Sequence, residues 1–231
     1  MALIDGLQHY WKCDETSGST MSDSHGSEDG VNQSMEDADW ITGLINNGIN
    51  YDESPEHTIF SFTNTSTDGT FNFWIKPDAD QNNFIMGNQQ DGTSQGDWYF
   101  QLLTVFGVIR YQITKTGDVQ VNLDSDVEPT AGAWNMITGL WGTGGMKLWV
   151  NGSEQTASDA SSQIPTGKSG QTTWGLGHPI GNQDYYDGKF DEVGIWNKRL
   201  TQSEITSLYN SGNGLAYPFS TSAGFNQAHI I

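Results

Sequence analysis

The chain of 231 residues contains one cysteine, Cys13, so no intrachain disulfide can form and burial has to hold the fold. Basic residues are scarce: 9 against 28 acidic ones leave a formal net charge of -19. Phosphate backbones and anionic lipid surfaces are bound through clustered lysine and arginine, which argues against nucleic acid and anionic membranes as partners. Long apolar runs are also missing, so no segment reads as membrane-inserted. The start, MALIDGLQHYWKCDE, lacks the basic and apolar regions of a secretion signal. Synthesis and release in a cytoplasm is the expectation that follows, with export by another route as the alternative.

What the chain does contain is a succession of short apolar segments separated by turn formers. Strands are expected over 7–13, 44–51, 57–62, 70–76, 84–87, 98–105, 108–114, 119–123, 133–141, 146–150 and 172–176. In the first of these, alternation places Leu7, His9, Trp11 and Cys13 on one face, which makes Cys13 a core residue rather than a reactive thiol. The Asn151-Gly152 pair after KLWV is the strongest hairpin signal, because both residues tolerate positive φ. Residues 153–170 read as a long polar connection. Such spacing indicates one antiparallel sandwich of the size seen in single domains.

The stretch YDGKFDEVGIWNKRLTQSEITSLYNSG, Tyr186 to Gly212, organises the rest. Its strand, Lys189 to Trp196, has a period that sets Asp191, Val193 and Ile195 on one face and Phe190, Glu192, Gly194 and Trp196 on the other. A helix follows, with Thr201 as N-cap, Glu204 closing a capping box, Leu200 and Ile205 at staple spacing, and Gly212 placed for a left-handed C-cap.

This stretch resembles the closing segment of laminin G-like jelly-roll modules of the concanavalin A-like lectin/glucanase superfamily, in which a strand reading roughly F-D-G-x-I-D-E-V-R-I-Y-N precedes a bend and a small capped helix. Tyr186, Asp187 and Gly188 match the entry, Asp191, Glu192 and Val193 the centre, and Ile195, Trp196 and Asn197 the exit; Gly194 stands where an arginine is usual. The blocks HYWKCDETSG, GINYD, FNFWIKP, Trp134 to Leu140 and MKLWVNG occur in the family order, so the resemblance spans about residues 7 to 212. It implies an all-β, two-sheet antiparallel jelly-roll sandwich with one short C-terminal helix. Residues 1–6 are then an N-terminal arm, 7–219 the domain and 220–231 a C-terminal tail.

Three kinds of site are possible on this frame: catalytic, metal-binding and glycan-binding. Retaining glycosidases of the superfamily need two carboxyls about 5 to 5.5 Å apart, written on a strand as Glu-x-Asp-x-x-Glu or Glu-x-Asp-x-Glu, and neither spacing occurs. Asp191 and Glu192, being adjacent, would point to opposite faces of a regular strand, so a non-catalytic module is expected. The five histidines are scattered without metal-ligand spacing, which argues against zinc. The resemblance implies one structural calcium ion, held by the loop DSHGSEDG through Asp23 and Asp29 together with Asp191; the alternative is a solvated acidic loop with Asp191 bonded to backbone N–H groups. It also implies glycan binding on exposed aromatics flanked by hydrogen-bonders, for which Trp98 and the loop residues His178, Asn182, Asp184, Tyr185 and Tyr186 have the composition.

The functional expectation is a binding or structural module. One form is a phage virion surface component (capsid decoration, head fibre or tail-associated), partnered by other virion proteins, by cell-surface glycans or by further copies of itself. The alternative is a carbohydrate-binding module of a secreted bacterial enzyme or adhesin, hence extracellular.

Overall fold

The computed structural model describes residues 2–52, 55–79, 81–88, 97–103, 107–115, 117–160, 164–165, 172–178 and 185–219. Its strands, in chain order, are β1 (Leu7–Trp11), β2 (Thr20–Met21), β3 (Gly30–Gln33), β4 (Trp40–Thr42), β5 (Asn47–Tyr51) and β6 (His57–Ser61). Then come β7 (Gly69–Pro77), β8 (Asn83–Gly87), β9 (Trp98–Leu103), β10 (Val108–Lys115) and β11 (Val119–Asp124). The last are β12 (Asn135–Trp141), β13 (Met146–Val150), β14 (Ser153–Asp159), β15 (Thr173–Leu176) and β16 (Gly188–Trp196), followed by the helix α1 (Gln202–Tyr209). One sheet runs β14-β13-β12-β7-β16-β5-β4 with β1 also on β16; the other runs β11-β10-β9-β8-β15-β6-β3-β2, and all pairings are antiparallel. This is the expected sandwich.

Between the sheets lies an aromatic core that includes Trp11, Phe60, Phe71, Phe73, Trp98, Phe100, Tyr111, Trp141, Trp174 and Phe190, with Cys13 buried among them. A second apolar layer covers the other face of the first sheet, where Trp74, Met136, Trp149 and Trp196 meet Ile205 and Leu208 of α1. Both helix side chains are almost wholly buried, which stabilises by about 2 kcal/mol each. The Thr201–Glu204 capping box is formed, and Leu200 and Ile205 are both buried. The helix stops earlier than its glycine suggests: Asn210 takes the left-handed cap, and Gly212 ends a following 3-10 turn.

Several expectations change in three dimensions. β14, part of the stretch read as polar connection, is an edge strand whose charged and hydroxyl side chains face water, as edge strands often do. After the helix, Leu215, Tyr217 and Phe219 pack on the second apolar layer. A register shift between Leu7 and His9 turns Leu7 to that outer layer while Trp11 and Cys13 stay in the inner core, so the four residues do not share a face. The segment expected as an arm is tied down, with Leu3 buried and its carbonyl accepting from Trp196 Nε1 at 2.7 Å. The tail 220–231 lies outside the described residues.

The largest change is in β16. One edge pairs with β7 along most of its length, whereas the other pairs first with β5 (Gly188–Phe190) and then with β1 (Val193–Trp196). Where β5 hands over to β1 the strand bulges: its register against β7 shifts between Asp191 and Gly194, and Glu192 has φ +51°. A bulge adds one residue and resets the alternation. Phe190, Val193 and Ile195 consequently face the inner core. Asp191 and Glu192 both leave on the outer side, among the β4–β5 hairpin and Tyr10.

Candidate functional site

Asp191 is wholly buried. Its Oδ2 accepts backbone N–H bonds from Leu44 at 2.8 Å and Ile45 at 2.9 Å, while Oδ1 has no partner. Glu192 is also buried, accepts from the Tyr10 hydroxyl through Oε2, and leaves Oε1 without a partner. Burial pushes the Asp191 carboxyl up to about 9 against the two backbone donors, and pushes Glu192 up to about 8 against the Tyr10 bond. The bulge therefore does put two carboxyls on one side, contrary to a regular strand. Their burial denies a substrate access to them.

Asp23 and Asp29 sit elsewhere. Asp23 is partly buried, which pushes its carboxyl up. Bonds from His9 Nδ1 (2.7 Å) and from the backbone N–H groups of Tyr10, Gly26 and Glu28 outweigh this and hold it at about 2. His25 N–H adds a fifth donor. Asp29 Oδ1 accepts from Asp23 N–H at 2.8 Å. Asp23 bridges to β1 at Trp11, on the edge away from β16, so β1 stands between Asp23 and Asp191. The loop acids thus organise their own turn, and no contact brings them to Asp191 among the described residues.

The aromatic candidates divide. Trp98 is fully buried, stacking on Phe71 with ring centroids 3.9 Å apart, and Tyr186 is buried against Phe190; neither offers a face to a sugar. Asn182 and Asp184 lie outside the described residues. His178, itself buried, and the half-buried Tyr185 lie together, with centroids 4.3 Å apart. To them the fold adds His57, half-buried at the start of β6, 4.9 Å from His178 and 5.9 Å from Tyr185. Burial lowers the His57 pKa, so its imidazole is neutral near pH 7. Sequence spacing did not reveal this group because its members come from different strands and loops.

Beside it on the chain is a set of carboxylates that sequence reading also missed. Asp39, Asp52 and Glu56 each place an oxygen within 4.8 Å of the others. Asp39 ends a 3-10 turn just before β4, Asp52 follows β5, and Glu56 precedes His57. The hairpin register Trp40↔Ile49 sets Asp39 opposite Asn50, and Asn50 Nδ2 donates to Asp52 Oδ2 at 2.9 Å. The Asp52–Asn50 alternation was visible in GINYD. That pairing was not.

Comparison with known proteins places this geometry in context. A family model described as the concanavalin A-like lectin/glucanases superfamily matches residues 50–206. Among curated proteins, none matches the chain by sequence. The receptor-binding domain of botulinum neurotoxin D superposes with a TM-score of 0.71 at 16% identity, over 91% of this chain and 54% of that one. The binding domain of Paraclostridial Mosquitocidal Protein 1 gives 0.69 at 17%, over 91% and 53%. This chain thus spans about half the length of those binding domains. Domain 4 of AbnA, an extracellular arabinanase of family GH43 from Geobacillus stearothermophilus, in complex with arabinotriose, gives 0.64 at 16%, over 87% of this chain and 96% of that one. Likeness at these identities concerns the fold.

Proposed function

This chain belongs to the concanavalin A-like lectin/glucanase superfamily, and we propose that it is a non-catalytic carbohydrate-binding module whose sugar contacts lie at His57, His178 and Tyr185. The observation that carries the reading is the ring group itself: two half-buried aromatic side chains gathered around His178 at the sandwich rim. Apolar sugar faces stack on such rings, and the neutral imidazole adds a hydrogen-bonding edge. Support of a second kind comes from AbnA domain 4, which matches along nearly its full length and was seen with an oligosaccharide.

The test is an array of plant, bacterial and host-cell glycans, followed by calorimetry with arabinotriose and the strongest array hit. His57→Ala and Tyr185→Ala are expected to weaken binding by about fivefold or more, the stacking of one ring being worth roughly 1 kcal/mol or more. Their melting temperatures should stay near that of the parent. Binding unchanged in both variants, or no glycan bound at all, would refute the assignment. Carriage on a virion surface is a narrower form of the reading, with a host-cell glycan as the ligand. Fixed-stoichiometry co-sedimentation with capsid or tail proteins would support it, and a lone soluble species would favour a module of a secreted enzyme or adhesin.

A further inference from the structure

We propose that the ring site selects uncharged sugars and rejects those carrying a carboxylate, the uronic and sialic acids, because the polar groups set around it are acceptors; this rests on the sugar-binding reading of His57, His178 and Tyr185. His57 is held in one tautomer. Its Nδ1 lies 2.7 Å from the Pro55 carbonyl, which can only accept, so Nδ1 carries the proton. Burial lowers the His57 pKa, and the neutral ring then presents Nε2 as an acceptor. A sugar hydroxyl can donate to it, whereas a ligand carboxylate brings only another acceptor.

The same rim carries a row of aspartates. The register Gly188↔Tyr51 continues one step past the ladder to set Asp187 opposite Asp52, and Gly188↔Pro77 likewise sets Asp187 opposite Asp78, whose N–H donates to the Asp187 carbonyl at 3.4 Å. Asp52, Asp187 and Asp78 thus flank the ends of three adjacent strands, about 4.8 Å from one to the next, and all three are exposed. Burial raises the Asp187 pKa, and the charges of Asp78 and Asp52 raise it further against that of Lys189, so the acids of the row act on one another.

Two links tie the row to the rings. Tyr186 turns inward against Phe190 while its neighbours Tyr185 and Asp187 stay towards the surface, so those two leave the chain on one side. Glu56, the residue before His57, accepts the Asp52 N–H at 2.8 Å. Lysine does little to offset the charge. Lys189 gives its ammonium to both oxygens of Asp78, at 2.6 and 2.8 Å, and Lys76 lies opposite it on β7, across β16 from Asp52. Asp52 and Asp187, the two acids joined to the rings, are left without an ion pair among the described residues. A ligand carboxylate about 8 Å from two such charges, at an effective dielectric of about 60, loses about tenfold in affinity.

The experiment is an array of neutral glycans together with the same backbones carrying a uronic or sialic acid. Calorimetry of the full chain follows, with the strongest binder and its counterpart of opposite type, at about 20 mM and about 1 M sodium chloride. The neutral member of the pair should bind about tenfold more tightly at low salt and within about twofold at high salt, where charges are screened beyond about 3 Å. Asp52→Asn combined with Asp187→Asn keeps a side-chain carbonyl at each place and removes both charges, so the low-salt ratio should fall to about twofold. A carboxylated glycan that binds as tightly as its neutral counterpart, with binding still weakened by His57→Ala and Tyr185→Ala, would overturn the selectivity and leave the ring site standing. A ratio unchanged in the double variant would overturn it too, since shape rather than charge would then set the preference. No glycan bound, or binding indifferent to both rings, would remove the site and the selectivity with it.

Discussion

Replacing Asp191 by Asn should change how stability depends on pH, in a direction unusual for a carboxylate. In the folded chain, burial holds the Asp191 carboxyl protonated up to about 9, against an ordinary value of 3.8. The unfolded chain therefore releases its proton first, and the folded state binds more protons throughout the window between those values. Stability then falls as pH rises: it is fully present below the unfolded pKa and is lost towards the folded one. Each pH unit in the window costs about 1.4 kcal/mol for this group, so between about pH 5 and about pH 7 the loss reaches about 2.7 kcal/mol.

Asn carries no such titration. Its carbonyl oxygen can accept the two N–H bonds that Leu44 and Ile45 now give to Oδ2, and its NH2 group occupies the place of Oδ1, which has no partner. The titration of Glu192 is common to both proteins and cancels in the difference. The variant should thus gain on the parent as pH rises, by about 5–10 °C in melting temperature between about pH 5 and about pH 7 for a chain of this size. Melting curves of both proteins at several pH values, at constant ionic strength, measure this. Parallel curves would refute the reasoning, and a variant that is increasingly the weaker one above pH 5 would show that Asp191 is ionised and paired in the folded state.

Three further outcomes follow from the packing. Tyr10→Phe removes the only described donor to Glu192 and should cost about 1–3 kcal/mol by urea denaturation, with the loss growing as pH rises towards about 8. Trp98→Ala empties the stack between Phe71, Phe100 and Trp174 and should cost about 3–5 kcal/mol, a melting-curve result that separates a core residue from a sugar platform. Thr201→Ala deletes the hydroxyl that accepts from Glu204 N–H and should cost about 1 kcal/mol, read as a lower midpoint in chemical denaturation with an unchanged slope.

Features written in neighbouring residues could be read directly. The capping box at Thr201 and Glu204 and the Asn151-Gly152 hairpin, whose residues have φ +52° and +76°, depend on contacts a few positions apart. The apolar strands were recognisable for the same reason, since alternation is a local pattern that the core then exploits. Polar β14 was not, because an edge strand facing water has no apolar period to display. Glu192 bulges because β16 changes partners from β5 to β1 at that point, and this handover joins segments nearly the whole chain apart. Only the tertiary structure could bury Asp191 and Glu192 on one side, send Trp98 to the core, join His57 to His178, or set Asp39 against Asn50 and Asp52. Strand propensity and turns are properties of short segments, whereas burial and shared sites arise from which segments become neighbours, and that is decided by the closing of the sandwich.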